Sequence, residues 1–544
     1  MNTRQLQTDK NQKLYHALLG ILLVCALAMM MLLSYWACKY SYYGAVDGRT
    51  RGVLVGDKTW AHIAVFLATS LCTMGIDKVL MKKDKSQQEK ICLCTLIVTS
   101  VIAFILGVFY VCKNPYYPVG DQINTTAFAA YCRDGNFSML SIGGYVGMYQ
   151  QQKGLAILYE ILFTLFGDFN YRPAKILHVV WWILTILAGY GFLKLNTDRP
   201  VFRMLYCVMM LGCFPLLFYL PYIYGDVLSI SFGIILFYGV AAYEHSGQKR
   251  YIALASFAAG LAVLARKNTW IVLVAVAVYV LLVSLRKKKV RYLMAGTAIL
   301  LTAALSVKAV DVIYEVRSGY PSGVGVPSIL WVAMGLQETE GRAGVYNRYQ
   351  QATFTDYDCQ QELAAQQGKE YIRERLEEFS QDPGMAFDFF KNKLEGQWIE
   401  PMYAALESTE SFEEGAELSP VLESLYYGEL GRTIWKLTNY YQSILYLAGL
   451  MALVMLGILW WKKKEVPISL WLPWIAVFGG FLFSILWEAK SRYVFPYCVF
   501  MILYAPEGLY QMGLLLCKLP KLRKFKKSGH TQDKGEEASL RETA

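Results

Sequence analysis

Charge is scarce in this chain. Only 17% of its 544 residues are Asp, Glu, Lys or Arg while 55% are hydrophobic, and mean hydropathy is +0.32. A soluble enzyme carries charge on about a quarter of its residues, so soluble, disordered and collagen-like classes are excluded. Histidine is scarcer still: His16, His62, His178, His245 and His530 are scattered and form no ligand-spaced pair, so no zinc site is expected. Seven of the 12 cysteines, Cys25, Cys72, Cys92, Cys94, Cys207, Cys213 and Cys498, sit in apolar runs, where a thiol behaves as a small hydrophobe and suggests no disulfide framework. No Gly-rich phosphate loop followed by Lys occurs.

Long apolar runs fill the space that charge leaves. Stretches able to cross a hydrocarbon core of roughly 30 Å are expected near 14–36, 59–77, 91–111, 175–194, 204–220, 227–243, 251–265, 270–285, 293–310, 438–461, 467–487 and 494–516. The fold class expected is therefore an all-α polytopic membrane protein with twelve spans. A thirteenth run, LAILYEILFTLF at 155–166, is short and holds Glu160, so it is read as a surface helix. Basic loops decide the topology. With 155–166 not crossing, the N-terminus, 78–90, 194–203, 244–250, 286–292, 462–465 and the tail share one side and carry 3, 5, 3, 2, 5, 3 and 8 Lys and Arg. Short basic loops face the cytoplasm. The other side receives 112–174, PYIYGD at 221–226, RKNT at 266–269, EAKSR at 488–492 and the segment 311–437. That segment is acidic: residues 311–433 carry 22 Asp and Glu against 9 Lys and Arg. The expected organisation is a two-span extension at 1–90, a seven-span module at 91–310, an acidic, mainly helical lobe at 311–437, three spans at 438–516, and a basic-to-polar cytoplasmic tail at 517–544.

Polar residues at the outer span ends are the candidates for chemistry. Asp121 in YYPVGDQINTTAFAAY fits two roles, a helix N-cap and a general base beside Tyr116 and Tyr117. Asp226 in LPYIYGDVLSISF has the same placement; a helix cap is its expected role, and two acids on one face invite a shared substrate. Lys153, Arg172, Arg266, Lys267, Lys490 and Arg492 are cations on the side that the positive-inside bias disfavours. Singly each reads as a headgroup contact; together they suit a lipid phosphate, which Arg grips with a fork and Lys with a point charge.

In order and sidedness these clusters resemble the GT-C superfamily of polyprenyl-phosphate-sugar-dependent glycosyltransferases, especially the protein O-mannosyltransferase and lipid A aminoarabinose transferase group. Asp121, then KGLAILYEILFTLFG at 153–167, then Arg172 match that family's catalytic Asp, surface helix and following Arg. Asp226 resembles its second external acid, Lys267 its basic residue between later spans, and SRYVFPY at 491–497, with Arg492 and Tyr493, its late Arg-Tyr-x-x-Pro element. Many members have Asp-Glu where this chain has Asp121-Gln122, and an acid where it has Gln152, which argues against a carboxylate-bridged divalent metal.

The resemblance implies transfer of a sugar from a polyprenyl-phosphate carrier to a hydroxyl of a glycan, lipid or protein acceptor, with inversion, on the extracytoplasmic face. Asp121 would be catalytic, and Asp226, Lys153, Arg172, Lys267, Arg492 and Tyr493 would bind substrate. Trp331, Tyr346, Trp398 and Tyr403 of the lobe would roof the cavity or form the lobe's core. Membrane lipids are the other expected partners, and nucleic acid is not one. Two alternatives stand beside this reading: a lipid-linked polysaccharide polymerase or ligase, and a lipid or solute transporter, for which Asp77 near a span end is the relevant residue. A sequon at Asn124, three residues from Asp121, would place a glycan against the site, which favours a bacterial plasma membrane.

Overall fold

The computed structural model describes residues 3–43, 53–323, 325–464 and 466–518. Most of the expected tail, from 519 onward, lies outside the described residues. Among these residues nine helices are long and apolar enough to cross a membrane: Asn11–Lys39, Thr59–Leu80, Lys85–Lys113, Arg172–Asn196, Asp226–Ser246, Lys267–Lys287, Val290–Ser318, Glu429–Trp461 and Ile468–Leu486. The chain is a helical integral membrane protein.

The other three expected spans take different forms. The run 204–220 is split into helices Pro200–Leu211 and Phe214–Phe218, because Pro215 has no N–H to continue a ladder and instead opens a new first turn. The run 494–516 is a pair, Ser491–Met501 and Ala505–Lys518, bent by 59° where Pro506 opens the second helix. The run 251–265 is one helix, Lys249–Ala265, of 17 residues. It is separated from the next by the tight turn Lys267–Thr269.

Asp226–Ser246 is the centre of the bundle. Its most apolar stretch is 83% buried, against 28% for Lys85–Lys113, and it packs chiefly on Arg172–Asn196 and Lys249–Ala265. At one end of the bundle the basic loops close on acids: Arg199 on Asp77 (2.9 Å), Arg203 on Glu89 (2.6 Å) and Lys287 on Glu244 (2.8 Å). Asp77 is thus paired at a helix end.

At the opposite end the helix Lys153–Phe166 is only about 21 Å long. It buries Leu155, Ala156, Tyr159 and Phe163 and exposes Ile161, Leu165 and Phe166. Glu160 pairs with Arg317 at 2.5 Å and accepts from Tyr314 Oη at 3.2 Å. The lobe is spliced directly into two long helices. Val290–Ser318 carries the chain in past residue 311, and Glu429–Trp461 carries it out before 438. Between them lie Ile329–Gly335, Tyr349–Asp356, Gln361–Gln381, Pro383–Trp398 and a minimal hairpin pairing Glu338–Thr339 with Arg342–Ala343. A second hairpin pairs Tyr40–Tyr43 with Val53–Gly56.

Two glycines set the spacing at this end. A Cβ on Gly225 would sit 2.0 Å from the Ala265 carbonyl oxygen, and one on Gly154 would sit 2.5 Å from that of Leu264. Their lack of a side chain lets the Asp226 and Lys153 helices abut the last turn of Lys249–Ala265. Gly225→Ala is expected to cost about 1–3 kcal/mol by overpacking, read as a lower thermal midpoint in detergent. Gly75→Ala, whose Cβ meets nothing within 4 Å, serves as the control and should leave the midpoint unchanged or slightly raised.

Candidate functional site

The loop ends that Gly225 and Gly154 draw together hold most of the polar residues singled out from the sequence. Gly120, at φ +57°, takes the capping position, so Asp121 is the first residue of the helix Asp121–Arg133 rather than its cap. Its carboxylate is exposed and accepts a hydrogen bond from Tyr145 Oη at 2.8 Å. Burial, with Asp121 beside it, pushes the Tyr145 phenol up, which keeps it a donor.

Asp226 likewise opens its helix, behind Gly225, and is 3% exposed. Arg266 Nη1 stands 3.4 Å from Oδ2, and Arg492 Nε stands 3.9 Å from Oδ1. Arg492 also donates to Tyr222 Oη. Tyrosine faces surround both guanidiniums: Arg266 lies 4.8 Å from the centre of the Tyr224 ring and 5.5 Å from that of Tyr493, and Arg492 lies 5.5 Å from each. Among the described residues Arg492 Nε has no hydrogen-bond acceptor. Gln152 bridges the acids' two walls, donating to Tyr224 Oη at 2.6 Å and accepting from Thr125 Oγ1 at 3.3 Å.

Glu488 completes the cluster. Burial pushes it up to about 7; Lys490 opposes the shift, and the Asp121 carboxylate, close enough to be felt, adds to it. Tyr493 Oη is 3.4 Å from both its oxygens. From the lobe, Tyr346 is close enough to feel both Asp121 and Glu488.

The turn Lys267–Thr269 serves two chambers. Arg266 enters the acid cluster, whereas Lys267 lines a neighbouring cavity of about 340 Å³ together with Lys153, Trp270, Val307, Val310 and Gln361. There Lys153 is committed to Asp311 at 2.5 Å and Ser322 Oγ at 2.8 Å. Lys267 reaches only the hydroxyl of Ser328, at 3.3 Å. The cavity therefore combines an apolar wall with one cation that has no acidic partner among the described residues.

Of the residues expected from the sequence, Asp121, Asp226, Arg492 and Tyr493 converge, and Lys153 and Lys267 meet next door. Arg172 stands apart. It is exposed at the start of its helix, and the buried cation of that turn is Lys175, which donates to the Tyr116 carbonyl at 2.8 Å. Of the lobe aromatics, Trp398 and Tyr403 are core: Trp398 Nε1 donates to Ser484 Oγ at 3.0 Å, and Tyr403 stacks on Phe495. Trp331 stacks on Trp487 at 5.9 Å. Sequence reasoning missed Tyr145 and Glu488 as members of the site; Glu488 was visible only as one residue of an outer loop. Among the described residues no three His, Cys, Asp or Glu side chains converge as a metal-ligand set. Comparison with known proteins returns no match: no family model, no curated protein and no solved structure matches the chain.

Three buried groups outside the spans make stability depend on pH. Burial pushes Glu488 and Glu400 up to about 7 and Lys393 down to about 7. Between the ordinary carboxylate range and pH 7 the folded protein holds more protons on the two acids than the unfolded chain, so stability falls as pH rises. Above pH 7 the folded protein holds fewer protons on Lys393, so that contribution recovers with pH. The thermal midpoint contributed by these groups should pass through a minimum near neutrality. Glu400→Gln should flatten the acid limb and Lys393→Met the alkaline limb, measured as midpoint against pH.

Proposed function

We propose that the protein is an inverting glycosyltransferase of GT-C-like, twelve-span topology. It moves a sugar from a polyprenyl-phosphate carrier to an acceptor hydroxyl on the extracytoplasmic face of a bacterial plasma membrane. The observation that carries this reading is an exposed carboxylate, Asp121, within electrostatic reach of the buried Arg266, which with Arg492 holds Asp226, next to a cavity in which Lys267 faces an apolar wall. A prenyl chain suits that wall and a phosphate suits that cation.

In this mechanism Asp121 takes the proton of the acceptor hydroxyl while the acceptor oxygen attacks the anomeric carbon. The bond from that carbon to the phosphate oxygen breaks on the opposite face, and polyprenyl phosphate leaves with the electron pair. Lys267 stabilises its charge from the donor cavity, and the Arg492 guanidinium adds its positive field from the adjoining acid cluster. Tyr145 aims the Asp121 carboxylate. Asp226 holds Arg266 and Arg492 in place, so it is a positioning residue. Lys153, tied to Asp311, shapes the donor cavity, Tyr493 walls the guanidiniums, and Arg172 stays at the rim. No step is routed through a metal.

The test is mass spectrometry of lipid-linked sugars and envelope glycans from cells with the wild-type chain, no chain, or Asp121→Asn at matched expression. Asp121→Asn is expected to lower transfer by roughly 10²–10⁴-fold and to accumulate a polyprenyl-phosphate sugar, as deletion does. Lys267→Met is expected to lower it by about 10²-fold. Wild-type glycans from Asp121→Asn would sink the mechanism, and a diphosphate-linked oligosaccharide accumulating on deletion would replace it with a polymerase.

A further inference from the structure

Lys249–Ala265 ends beside the acid cluster, at Arg266, and begins at the opposite end of the bundle, next to the start of Val290–Ser318, on which it packs. Around these two helix starts stand five exposed cations. Lys249 and Arg250 open the first helix, Lys288 and Lys289 form the turn before the second, and Arg291 lies in its first turn. The two sets adjoin, since a Cβ on Gly247 would lie 3.5 Å from Arg291 Nη1. Each arginine is steadied by a ring, Arg250 at 4.9 Å from the centre of Tyr251 and Arg291 at 4.8 Å from that of Tyr292.

Other cations at this end meet acids, as Arg199 meets Asp77, Arg203 meets Glu89 and Lys287 meets Glu244. Among the described residues none of the five has an acidic partner. Glu244, the acid of the neighbouring loop, is buried and spent: it accepts from Lys287 Nζ at 2.8 Å, Tyr279 Oη at 3.0 Å and the Ser469 N–H at 2.8 Å. Neither helix has an acid in its first turn. Five like charges on two adjoining segments repel one another, and the field of the helix starts beside them is positive too. An anion from outside the chain relieves both.

The surface next to these cations is apolar. Val290 is 70% exposed, Leu293 54% and Met294 67%, and the stripe continues along the same helix through Leu301 and Leu305, with Phe257 exposed on the first helix. Positions three and four apart share a helix face, so cations cap an apolar stripe that runs into the bilayer. We infer that this patch binds an anionic phospholipid of the leaflet that meets this end of the bundle. The cations pair its phosphate, and the stripe takes its acyl chains, for which a soluble phosphate has no counterpart. The inference stands apart from the transferase reading.

The test is native mass spectrometry of the full chain released from vesicles of phosphatidylcholine and phosphatidylglycerol in equal amounts, read as the lipid molecules each chain retains. Lys288→Gln/Lys289→Gln/Arg291→Gln removes three charges of the patch. Lys82→Gln/Lys83→Gln/Lys85→Gln removes three from another basic loop at the same end, where Asp84 stands among them. All six side chains are exposed, so neither set of changes disturbs the core.

The wild-type chain is expected to retain phosphatidylglycerol in preference to phosphatidylcholine. The patch variant should lose that preference by roughly tenfold or more, while the loop variant keeps it within about twofold. Lys288→Arg/Lys289→Arg, which preserves the charge, should keep it as well. If the patch variant does not fold, Lys249→Gln/Arg250→Gln replaces it and should weaken the preference by roughly threefold or more. Equal retention of the two lipids by the wild-type chain would overturn the proposal. So would equal losses in the patch and loop variants, which would reduce the patch to the general charge bias of that end, and so would displacement of phosphatidylglycerol by excess inorganic phosphate, which would mark a site for the free anion.

Discussion

A carboxylate held between two guanidiniums is the constraint on which the rest of this structure depends. Taking Asp226, Arg266 and Arg492 out of water costs several kcal/mol per ion unless they meet, and they sit at the ends of three different helices. Their pairing fixes where Asp226–Ser246 begins, where Lys249–Ala265 ends and where Ser491–Met501 begins. The ring faces of Tyr222, Tyr224 and Tyr493 complete their surroundings. One acid cannot satisfy two guanidiniums, and among the described residues Arg492 Nε is left without a hydrogen-bond acceptor.

The spans were legible because apolar length is a local property. Nine expected runs appear as single long helices; the two interrupted ones fail at prolines, since hydropathy averages over residues and does not register a missing N–H at Pro215 or Pro506. Sidedness, argued from basic loops, grouped Asp121, Asp226, Lys267 and Arg492 correctly as residues of one end. It said nothing of depth. Arg172 and Lys175 are three residues apart at a helix start; the sequence singles out the first and the fold buries the second. Tyr145 and Glu488 reach Asp121 across 24 and 367 positions, and no spacing rule links such residues. The lobe was legible as helical from QELAAQQGKEYIRERLEEF, found as Gln361–Gln381, but which of its aromatics face the site was not. Trp398 and Tyr403 went to the core and Tyr346 to the site's edge.

Economy at two short segments links the chambers. Arg266 and Lys267, adjacent in sequence, face different cavities because the chain leaves a helix and makes a tight turn between them. Lys490, Ser491 and Arg492 do the same for the acid cluster and a cavity between the lobe and the segment 489–491, lined by Lys393 and Glu395 among others. Three compartments, one amphipathic, one ionic and one polar with charges of both signs, are thereby kept within a few residues of one another.

The way the lobe is mounted ties it to the tilt of two membrane helices. Val290–Ser318 and Glu429–Trp461 run unbroken from the bundle into the lobe, and at 1.5 Å per residue they measure about 44 and 50 Å, well beyond a core of roughly 30 Å. On the exit side only Gly428 separates the lobe helix Pro420–Tyr427 from Glu429–Trp461. A thicker or thinner bilayer is met by changing helix tilt, and a change in the tilt of these two rods carries the lobe's points of attachment with it.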